Sequence, residues 1–482
     1  MDVPVAFGLL GVTLLATALA AGVIVRAPIS FPIIFLGIGL AIGPGALGLA
    51  QLRADAPLLG VLASLTLSLV LFLDALDLEL AGKRRELVAP LLALGPVTVI
   101  VAAGVALAAI AIFHFPPATG LLLGAVLGST DPAVMRDVLR DNRLPMAVRR
   151  VLRIEAGAND VVVLPVVLIL ISISTARPGT NWFVFLVELL LVGPLLGFFI
   201  GGIASWLMAR VNRRLGVGRE FQSLYGVGIV LAAYAAGSLA GASGFLAVFA
   251  AGVGVRVFDQ ELCDCFLEFG AAAAEMTMLL AFVLFGIVLS ALLPKAPLLA
   301  GLALGLLTVL VLRPAVAFLV LALEPARLSW RARAFIGWFG PRGLTSLLLA
   351  LLVVEAGVSG SETFLAVVGS VVLVSVVLHG ITASPVSAAY AGLVARRTLA
   401  EERLGSSEDL LRRPAEDVPR VSVEELATEL AGPNPPAVLD VRTRSEFDRD
   451  PRRIPSSVRV LPDEVTRWAE ATSPGRVVLY CT

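Results

Sequence analysis

Long apolar stretches dominate the chain, and the polar residues collect between them. Thirteen of these stretches are long enough to cross a bilayer as helices, since about 20 apolar residues span its hydrocarbon core. They lie at approximately residues 3–25, 28–50, 57–80, 87–113, 117–140, 151–174, 182–208, 221–240, 243–258, 270–293, 297–323, 333–356 and 363–392. The pattern therefore predicts an all-α polytopic membrane protein with about 13 transmembrane helices.

Composition supports the same class. Hydrophobic residues make up 58% of the 482 positions and charged residues only 15%, which excludes an ordinary soluble globular protein. The formal net charge is zero, so charge gives no reason to expect a nucleic-acid partner. The first apolar stretch follows no basic segment, and we interpret it as a retained span and not as a signal peptide. The lipid bilayer is thus the expected surrounding.

The basic residues between the stretches predict an orientation. Cytoplasmic loops are enriched in Lys and Arg. Alternate loops carry Arg26, Lys83, Arg84, Arg85, Arg143, Arg149, Arg150, Arg210, Arg213, Arg214, Arg219, Arg327, Arg331 and Arg333. The opposite loops show little beyond Arg53, Arg177 and Lys295. We therefore expect a multi-pass protein of the cytoplasmic membrane, with its N-terminus outside and residues 393–482 in the cytoplasm.

Two of the stretches contain helix-breaking residues. The fifth is interrupted at 128–132 (Gly-Ser-Thr-Asp-Pro) and the twelfth at 337–343 (Gly-Trp-Phe-Gly-Pro-Arg-Gly). Proline lacks the N–H group that a helix requires, and an aspartate before it can cap the next turn. Interrupted spans at corresponding positions of two halves are typical of transporters built from two inverted repeats, with the ion site where they cross. Stretches one to six and eight to thirteen would form those halves.

A polar cluster lies inside the sixth stretch. Glu155 and Asn159 are four residues apart and share one helical face, and Asp160 lies about 100° further round. A charged side chain at membrane depth costs about 2.5–3.5 kcal/mol on insertion scales, so a carboxylate there is expected to serve a function. Because desolvation favours the neutral form of a carboxyl group, Asp160 is expected to bind either a proton or a small cation. Competition between the two ions would couple their fluxes.

The other charged residues of the apolar stretches have two interpretations each. Asp131 is expected at the positive end of a half-helix, and Arg342 is placed to offset the carbonyl end of the second interruption. Glu155 requires a cationic partner, and Arg313 is the best candidate. Purely structural pairing is the alternative for Glu155, Arg313 and Arg342. Two further residues, Asp74 and Asp77, either are solvated at a helix end or line a cytoplasmic funnel for cations.

These motifs together resemble those of the monovalent cation:proton antiporter-1 family, the sodium/proton exchangers. The residues that carry the resemblance are Thr130-Asp131-Pro132, Glu155 with Asn159-Asp160, Arg313-Pro314 and Gly340-Pro341-Arg342-Gly343. The resemblance covers roughly residues 1–395. It implies a homodimeric antiporter of thirteen helices, in which a core domain moves against a dimerisation domain in an elevator-like step. An asparagine-aspartate pair, in place of two aspartates, implies electroneutral exchange.

The resemblance also implies roles for single residues. Asp160 would bind the transported Na⁺, with Thr130 contributing a backbone carbonyl, and Glu155 would form a buried ion pair with Arg313. The crossing would be held together by Asn159, Asp131 and Arg342. This chain departs from many members at one position, where Ala156 replaces a serine whose hydroxyl can contribute to the cation site. The departure leaves the choice between Na⁺ and K⁺ open.

Composition changes after about residue 396. We expect an antiporter domain at 1–395, a cytoplasmic linker at 396–420 and a partial α/β domain at 421–482. The last segment resembles a rhodanese domain in Asp440-Val441-Arg442, Glu446-Phe447, Arg453-Ile454-Pro455 and Tyr480-Cys481. Cys481 would be the persulfide-forming cysteine of that family. The anion-binding loop that should follow it is absent, so we expect a truncated domain without sulfurtransferase activity.

Four functions follow as hypotheses. The first is electroneutral Na⁺/H⁺ exchange, with Li⁺ as a further candidate cation, and the second is K⁺/H⁺ exchange. The third is a membrane-anchored sulfurtransferase, and the fourth is an ion sensor that transports nothing. Thirteen spans with charged residues at matched interruptions exceed what an anchor requires, so we predict a secondary transporter and not an enzyme. No cofactor is expected.

Overall fold

A computed structural model describes the chain at residues 8, 11–12, 15, 30–77, 87–141, 143–175, 181–258, 260–323, 328–396, 421–432, 435–442, 447, 452–461, 464–472 and 475–480. The membrane part consists of helices joined by short non-helical segments. Its helices are α1 (Phe31–Ile42), α2 (Pro57–Asp77), α3 (Val88–Phe113), α4 (Pro117–Val126), α5 (Arg136–Arg140), α6 (Met146–Thr175), α7 (Trp182–Leu215), α8 (Arg219–Leu239), α9 (Gly244–Phe258), α10 (Gln260–Leu292), α11 (Leu298–Leu323), α12 (Trp330–Trp338), α13 (Leu344–Glu355) and α14 (Ser361–Arg396).

The predicted class of the fold is confirmed, whereas the predicted number of spans stays a prediction. Among the described residues, eight helices are long and apolar enough to cross a membrane, and four shorter ones (α1, α4, α9 and α13) are also apolar. The stretch predicted at 3–25 lies largely outside the described residues. The stretches at 117–140 and 333–356 are each divided into two short helices. The protein is therefore a helical, polytopic membrane protein.

The helices pack in two groups. The first bundle contains α1, α2 and α7 to α10; the second contains α3, α4 and α6 together with α11 to α14. Glycines permit close packing in the first bundle: Gly197 and Gly201 of α7 lie directly against the carbonyl groups of Ala247 and Ala251 in α9, with no room for a side chain. The bundles meet where α2 contacts α6 and α13.

The two interrupted helices lie in the second bundle and cross each other. After α4 the chain is non-helical over residues 127–131 (the first break), and a 3₁₀ turn at Pro132–Met135 then leads into α5. After α12 it is non-helical over residues 339–343 (the second break) until α13 begins. The N–H group of Asp131 donates a hydrogen bond of 2.9 Å to the carbonyl oxygen of Pro341. The breaks thus touch through their backbones.

Two helices of the second bundle contain π turns beside a proline. In α3 the π turn is Ala93–Val97 and includes Pro96, and in α11 it is Thr308–Leu312, directly before Arg313 and Pro314. A proline removes one helical N–H and displaces the carbonyl group one turn earlier, and a widened turn accommodates both effects. These turns decide in which direction Thr98 and Arg313, the residues that follow them, project into the bundle.

The C-terminal segment forms a small α/β unit. Its strands β1 (Ala437–Asp440), β2 (Val458–Arg459) and β3 (Val477–Tyr480) make a parallel sheet in the order β2-β1-β3, beside helices α15 (Val423–Leu430) and α16 (Val465–Thr472). The predicted parallel strands are therefore present, but rhodanese membership stays a prediction. Cys481, the predicted persulfide cysteine, lies outside the described residues.

Charges stabilise this unit and connect it to the membrane part. Burial opposes ionisation of Asp440, but hydrogen bonds from Arg442 and the charge of Arg459 outweigh it, so the pKa of Asp440 lies below its ordinary value. Arg442 Nη2 lies 2.7 Å from Asp440 Oδ2. Arg149, near the start of α6, lies 3.3 Å from Glu464. The tail therefore contacts the helix that carries the predicted ion site.

Candidate cation and proton site

Helix α6 presents its predicted polar residues to the interior of the protein. Glu155 is 2% exposed, Asn159 0% and Asp160 1%. The surrounding positions of α6 are apolar on the same buried faces, among them Ala156, Val163 and Leu164. Snorkelling to an interface is therefore not available to these side chains. Each must be satisfied by protein groups or by an ion.

Asp160 faces the first break. Its Oδ1 accepts a hydrogen bond of 2.6 Å from the Ser129 hydroxyl. Thr345, near the start of α13, lies beside the carboxyl group. Asp160 Oδ2 and the Thr130 hydroxyl are buried and have no hydrogen-bond partner among the described residues. Small hard cations are bound by oxygen atoms, and unpaired buried oxygens require a partner. The carboxyl group and the first break can therefore hold a cation or a proton between them.

Asn159 connects α6 to two neighbouring elements. Its Nδ2 donates to the Thr98 hydroxyl of α3 and to the carbonyl oxygen of Gly128 in the first break, both at 3.4 Å. Its Oδ1 is buried and unpaired within the described part of the chain. The amide thus supports the backbone of the first break without adding a charge next to Asp160.

Asp131 caps two helical segments with one carboxylate. Oδ1 accepts from the N–H of Ala133 at 2.8 Å, at the start of the 3₁₀ turn, and Oδ2 accepts from the N–H of Leu344 at 2.5 Å, at the start of α13. Both are first-turn N–H groups, which carry partial positive charge and lack helical partners. Gly343 packs so closely on this carboxylate that no side chain would fit. Asp131 therefore joins the two broken helices at their crossing.

Glu155 and Arg313 form a buried ion pair. Arg313 Nη2 lies 2.7 Å from Glu155 Oε1, and the two side chains are 2–3% exposed. The same Nη2 also donates to the carbonyl oxygen of Phe339 at 3.4 Å, in the second break. Such a pairing offsets the cost of burying the two charges, and removal of either partner would leave the other uncompensated. The pair connects α6, α11 and the end of α12.

Arg342 is buried in the second break and forms a hydrogen bond with the backbone of that break. Its Nη1 donates to the carbonyl oxygen of Gly340 at 3.1 Å, at the carbonyl end of the interruption. Its N–H donates to the Ser375 hydroxyl at 2.6 Å. Next to Ser375, His379 lies with Nε2 at 2.9 Å from the carbonyl oxygen of Trp338, the last residue of α12. Its Nδ1 lies 3.2 Å from the Ser375 hydroxyl and 2.9 Å from the Ser375 carbonyl oxygen, so both ring nitrogens of His379 have polar partners.

The two aspartates of α2 differ from each other. Asp77 is exposed at the end of the helix, as helix-end solvation requires. Asp74 is half-buried, its Oδ2 is buried without a partner among the described residues, and its carboxyl group faces Gly157 of α6. Solvation at a helix end therefore does not account for Asp74. The funnel interpretation of the two aspartates stays a prediction.

Several neighbours of the site were not singled out by sequence reasoning. Ser129, Thr98 and Ser375 all contact predicted site residues. Ser129 carried a usable signal, because it stands in the same interruption as Thr130 and Asp131. Thr98 and Ser375 stand in ordinary apolar helices, and no local pattern marks them.

The comparisons with known proteins address the family directly. Residues 11–389 match the sequence profile of a family described as the sodium/hydrogen exchanger, transmembrane. The chain belongs to the sodium/hydrogen exchanger family. The resemblance predicted from the motifs is thereby confirmed for the membrane part.

Similar relatives of this exchanger chain are named as antiporters. The K⁺/H⁺ antiporter NhaP of Alkalimonas amylolytica is 28% identical over 386 residues, and the K⁺/H⁺ antiporter NhaP2 of Shewanella sp. (strain ANA-3) is 29% identical over 390 residues. Each alignment covers 78% of this chain and 65% of the relative. A Na⁺/H⁺ antiporter of Schizosaccharomyces pombe is 25% identical over 295 residues, covering 54% of this chain and 62% of the relative. This chain thus spans less than two thirds of the length of these relatives.

The fold is also similar to a solved structure. The sodium proton antiporter MjNhaP1 from Methanocaldococcus jannaschii superposes with a TM-score of 0.68 at 20% sequence identity, over 81% of this chain and 100% of that chain. The likeness shows that this exchanger chain adopts the same transporter fold.

Proposed function

We propose that this protein is a secondary active antiporter that exchanges a monovalent cation for a proton. The observation that carries the proposal is the environment of Asp160. This carboxyl group is buried, one of its oxygens is unpaired within the described residues, and the first break supplies further oxygens beside it. Such a site binds one positive ion at a time. Family membership supports the same activity.

Exchange follows from competition at this single carboxylate. A proton on Asp160 removes the negative charge that attracts the cation, and a bound cation excludes the proton. Each ion can therefore cross only by replacing the other, and one carboxylate exchanges one cation for one proton. The Asn159 amide beside it carries no second titrating charge. We accordingly propose electroneutral exchange.

Movement of one bundle against the other would give alternating access. Both breaks and α6 lie in the second bundle, which packs largely on itself, and α2 of the first bundle lies next to the site. A rigid second bundle could carry Asp160 past α2 without taking its ligands apart. This elevator-like step, like the homodimer in which the first bundle would be the fixed part, is a proposal that rests on the family resemblance.

The proposed roles divide the site residues into two sets. Asp160 and Thr130 bind the ion, and the Glu155–Arg313 pair supports the site from the next turn of α6. The crossing is held by Asn159, Asp131 and Arg342, and Asp74 lies on the proposed cytoplasmic path. On the family resemblance, we propose Na⁺ as the transported cation.

Potassium is the second candidate cation. Two of the relatives are named K⁺/H⁺ antiporters, at 28% and 29% identity. The serine that contributes to the cation site in many exchangers is Ala156 here. Both facts support K⁺ as an alternative to Na⁺.

Location and domain boundaries are part of the proposal as well. We place the protein in the cytoplasmic membrane with its N-terminus outside, on the distribution of Arg and Lys. Residues 1–395 form the transport domain, and residues 421–482 form a cytoplasmic rhodanese-like unit whose contact with α6 at Arg149 would serve regulation and not catalysis.

Transport in proteoliposomes tests the function. A preset pH gradient should dissipate when Na⁺, Li⁺ or K⁺ is added outside, and the order of the three cations identifies the substrate. Asp160→Asn should abolish this response, since an amide neither titrates nor neutralises a cation. Glu362→Gln, which removes an exposed carboxylate at the start of α14, is the control and should exchange like the wild type.

The outcomes separate the hypotheses. Exchange that survives in Asp160→Asn would contradict the assigned site. A wild-type rate that changes when a membrane potential is imposed would contradict electroneutral exchange. Folded wild-type protein without exchange for any of the three cations would favour an ion sensor.

A further inference from the structure

Ser129 is the polar side chain that contacts Asp160 most closely among the described hydrogen bonds. It is 1% exposed, and its Oγ lies 2.6 Å from Asp160 Oδ1. It stands in the first break, where the backbone no longer follows a helix after Val126. A hydroxyl that donates its proton to a carboxylate still has two lone pairs on its oxygen. Ser129 can therefore face Asp160 and a bound cation at the same time.

Helix α6 itself offers no such hydroxyl next to Asp160. Ala156 precedes Asp160 by four residues and so lies one turn away on the same face of α6. Its side chain is a buried methyl group, which offers no oxygen. Asp160 Oδ2 and the hydroxyl of Thr130, the residue after Ser129, are buried and unpaired within the described part of the chain. The described hydroxyl groups beside the Asp160 carboxyl group thus come from the first break and from Thr345 of α13, and not from α6.

We propose that Ser129 is a direct ligand of the transported cation, and that its hydroxyl replaces the one that α6 lacks at Ala156. The inference rests on the proposed function and adds one ligand to it. With a cation bound, the Ser129 oxygen and the Asp160 carboxylate coordinate it together. With a proton bound, the carboxyl group donates a hydrogen bond to the Ser129 oxygen. The same hydroxyl therefore serves both states of the exchange cycle.

A purely structural role would look different in measurements. If Ser129 only attaches the first break to α6, its removal should lower thermal stability and the maximal rate but leave the apparent affinity for the cation unchanged. If Ser129 is a ligand, its removal should raise the KM for the cation while the protein stays folded. The KM of the cation and the maximal rate therefore distinguish the two roles.

The experiment compares Ser129→Ala, Ser129→Thr and the double variant Ser129→Ala/Ala156→Ser with the wild type in proteoliposomes. Loss of one hydroxyl on a charged site should raise the KM for the preferred cation by about tenfold, with the maximal rate within about twofold of the wild type. Ser129→Thr keeps the hydroxyl and should keep the KM. The double variant returns a hydroxyl from α6 and should recover part of the affinity.

A KM for Ser129→Ala within about twofold of the wild type would overturn the ligand assignment and leave the proposed antiport intact. Wild-type protein without cation-driven exchange would instead overturn the antiport itself. Should Ser129→Ala fail to fold, Ser129→Cys decides, because a thiol keeps the shape but is a poor ligand for a hard cation. Cation-dependent thermal stabilisation of each purified variant provides the second readout, and a ligand role requires it to weaken in Ser129→Cys.

Discussion

The two breaks have similar geometry and opposite chemistry. Both are short non-helical segments between half-helices, and they touch at Asp131 and Pro341. The first break brings hydroxyl and carboxyl oxygens to the centre of the bundle, through Ser129, Thr130 and Asp131. The second brings glycines and the buried Arg342. One break is therefore suited to attract a cation, and the other supplies N–H donors and positive charge.

This difference indicates how a buried anionic site is kept stable. Asp131 accepts hydrogen bonds from first-turn N–H groups on both sides of the crossing, and these N–H groups stabilise its negative charge. Glu155 is paired with Arg313, which also contacts the second break. Asp160 differs from both, because its buried Oδ2 has neither a hydrogen-bond donor nor a cationic partner among the described residues. The second break thus stabilises the bundle while the first remains available to the ion.

The largest expected effect is on stability, from removing the anion that pairs with Arg313. Glu155→Ala leaves a buried arginine without its carboxylate and should cost about 3–5 kcal/mol in the free energy of unfolding. Thermal unfolding of the purified protein in detergent measures it. The matched control is Glu275→Ala, because the Arg136–Glu275 pair is about one third exposed and should contribute only about 0–1 kcal/mol. Equal losses in the two variants would contradict the buried-pair interpretation.

The next effect concerns the crossing itself. Asp131→Ala removes the acceptor of two N–H groups, those of Ala133 and Leu344, and should cost about 2–4 kcal/mol by the same unfolding measurement. Asp131→Asn keeps one side-chain acceptor and should lose roughly half as much. If the asparagine variant were as unstable as the alanine variant, the charge and not the two caps would be responsible.

Alanine variants of two serines, Ser375 and Ser129, then distinguish the functions of the two breaks. Ser375→Ala removes the acceptor of the Arg342 N–H and should cost about 1–3 kcal/mol of stability, with the cation KM within about twofold of the wild type. Ser129→Ala in the first break should raise the cation KM instead. Unfolding and transport are measured on both variants. A raised KM in Ser375→Ala would show that the second break also takes part in cation binding.

The smallest effect is expected at Thr98. Thr98→Val keeps the shape and removes two long hydrogen bonds. One, of 3.4 Å, comes from Asn159, which still has the Gly128 carbonyl as a partner, and the other, of 3.3 Å, goes to the carbonyl oxygen of Ala93. We expect a loss of about 0.5–1 kcal/mol in stability and unchanged exchange. An effect above about 2 kcal/mol would mean that Asn159 depends on α3 more than on the first break.

The charged residues of the site could be identified from the sequence more readily than its hydroxyl groups. A carboxylate or an arginine inside an apolar stretch is conspicuous because burying it is costly, and this marked Glu155, Asp160 and Arg313. A buried serine or threonine costs little in a helix, since it can bond to a carbonyl one turn earlier. Thr98 and Ser375 were therefore not distinguishable from their apolar surroundings before the helices were packed.

The sequence by itself determined the membrane class, the places where two helices are interrupted, and which side chains of α6 share a face. These follow from local rules: the apolar length of a stretch, the missing N–H of proline and the helical period. Only the tertiary structure decided that Asp131 would reach Leu344, 213 residues away, and that Ser129 would reach Asp160. The physical reason is that backbone preferences act over a few residues, whereas the partner of a buried polar group depends on how the bundle packs.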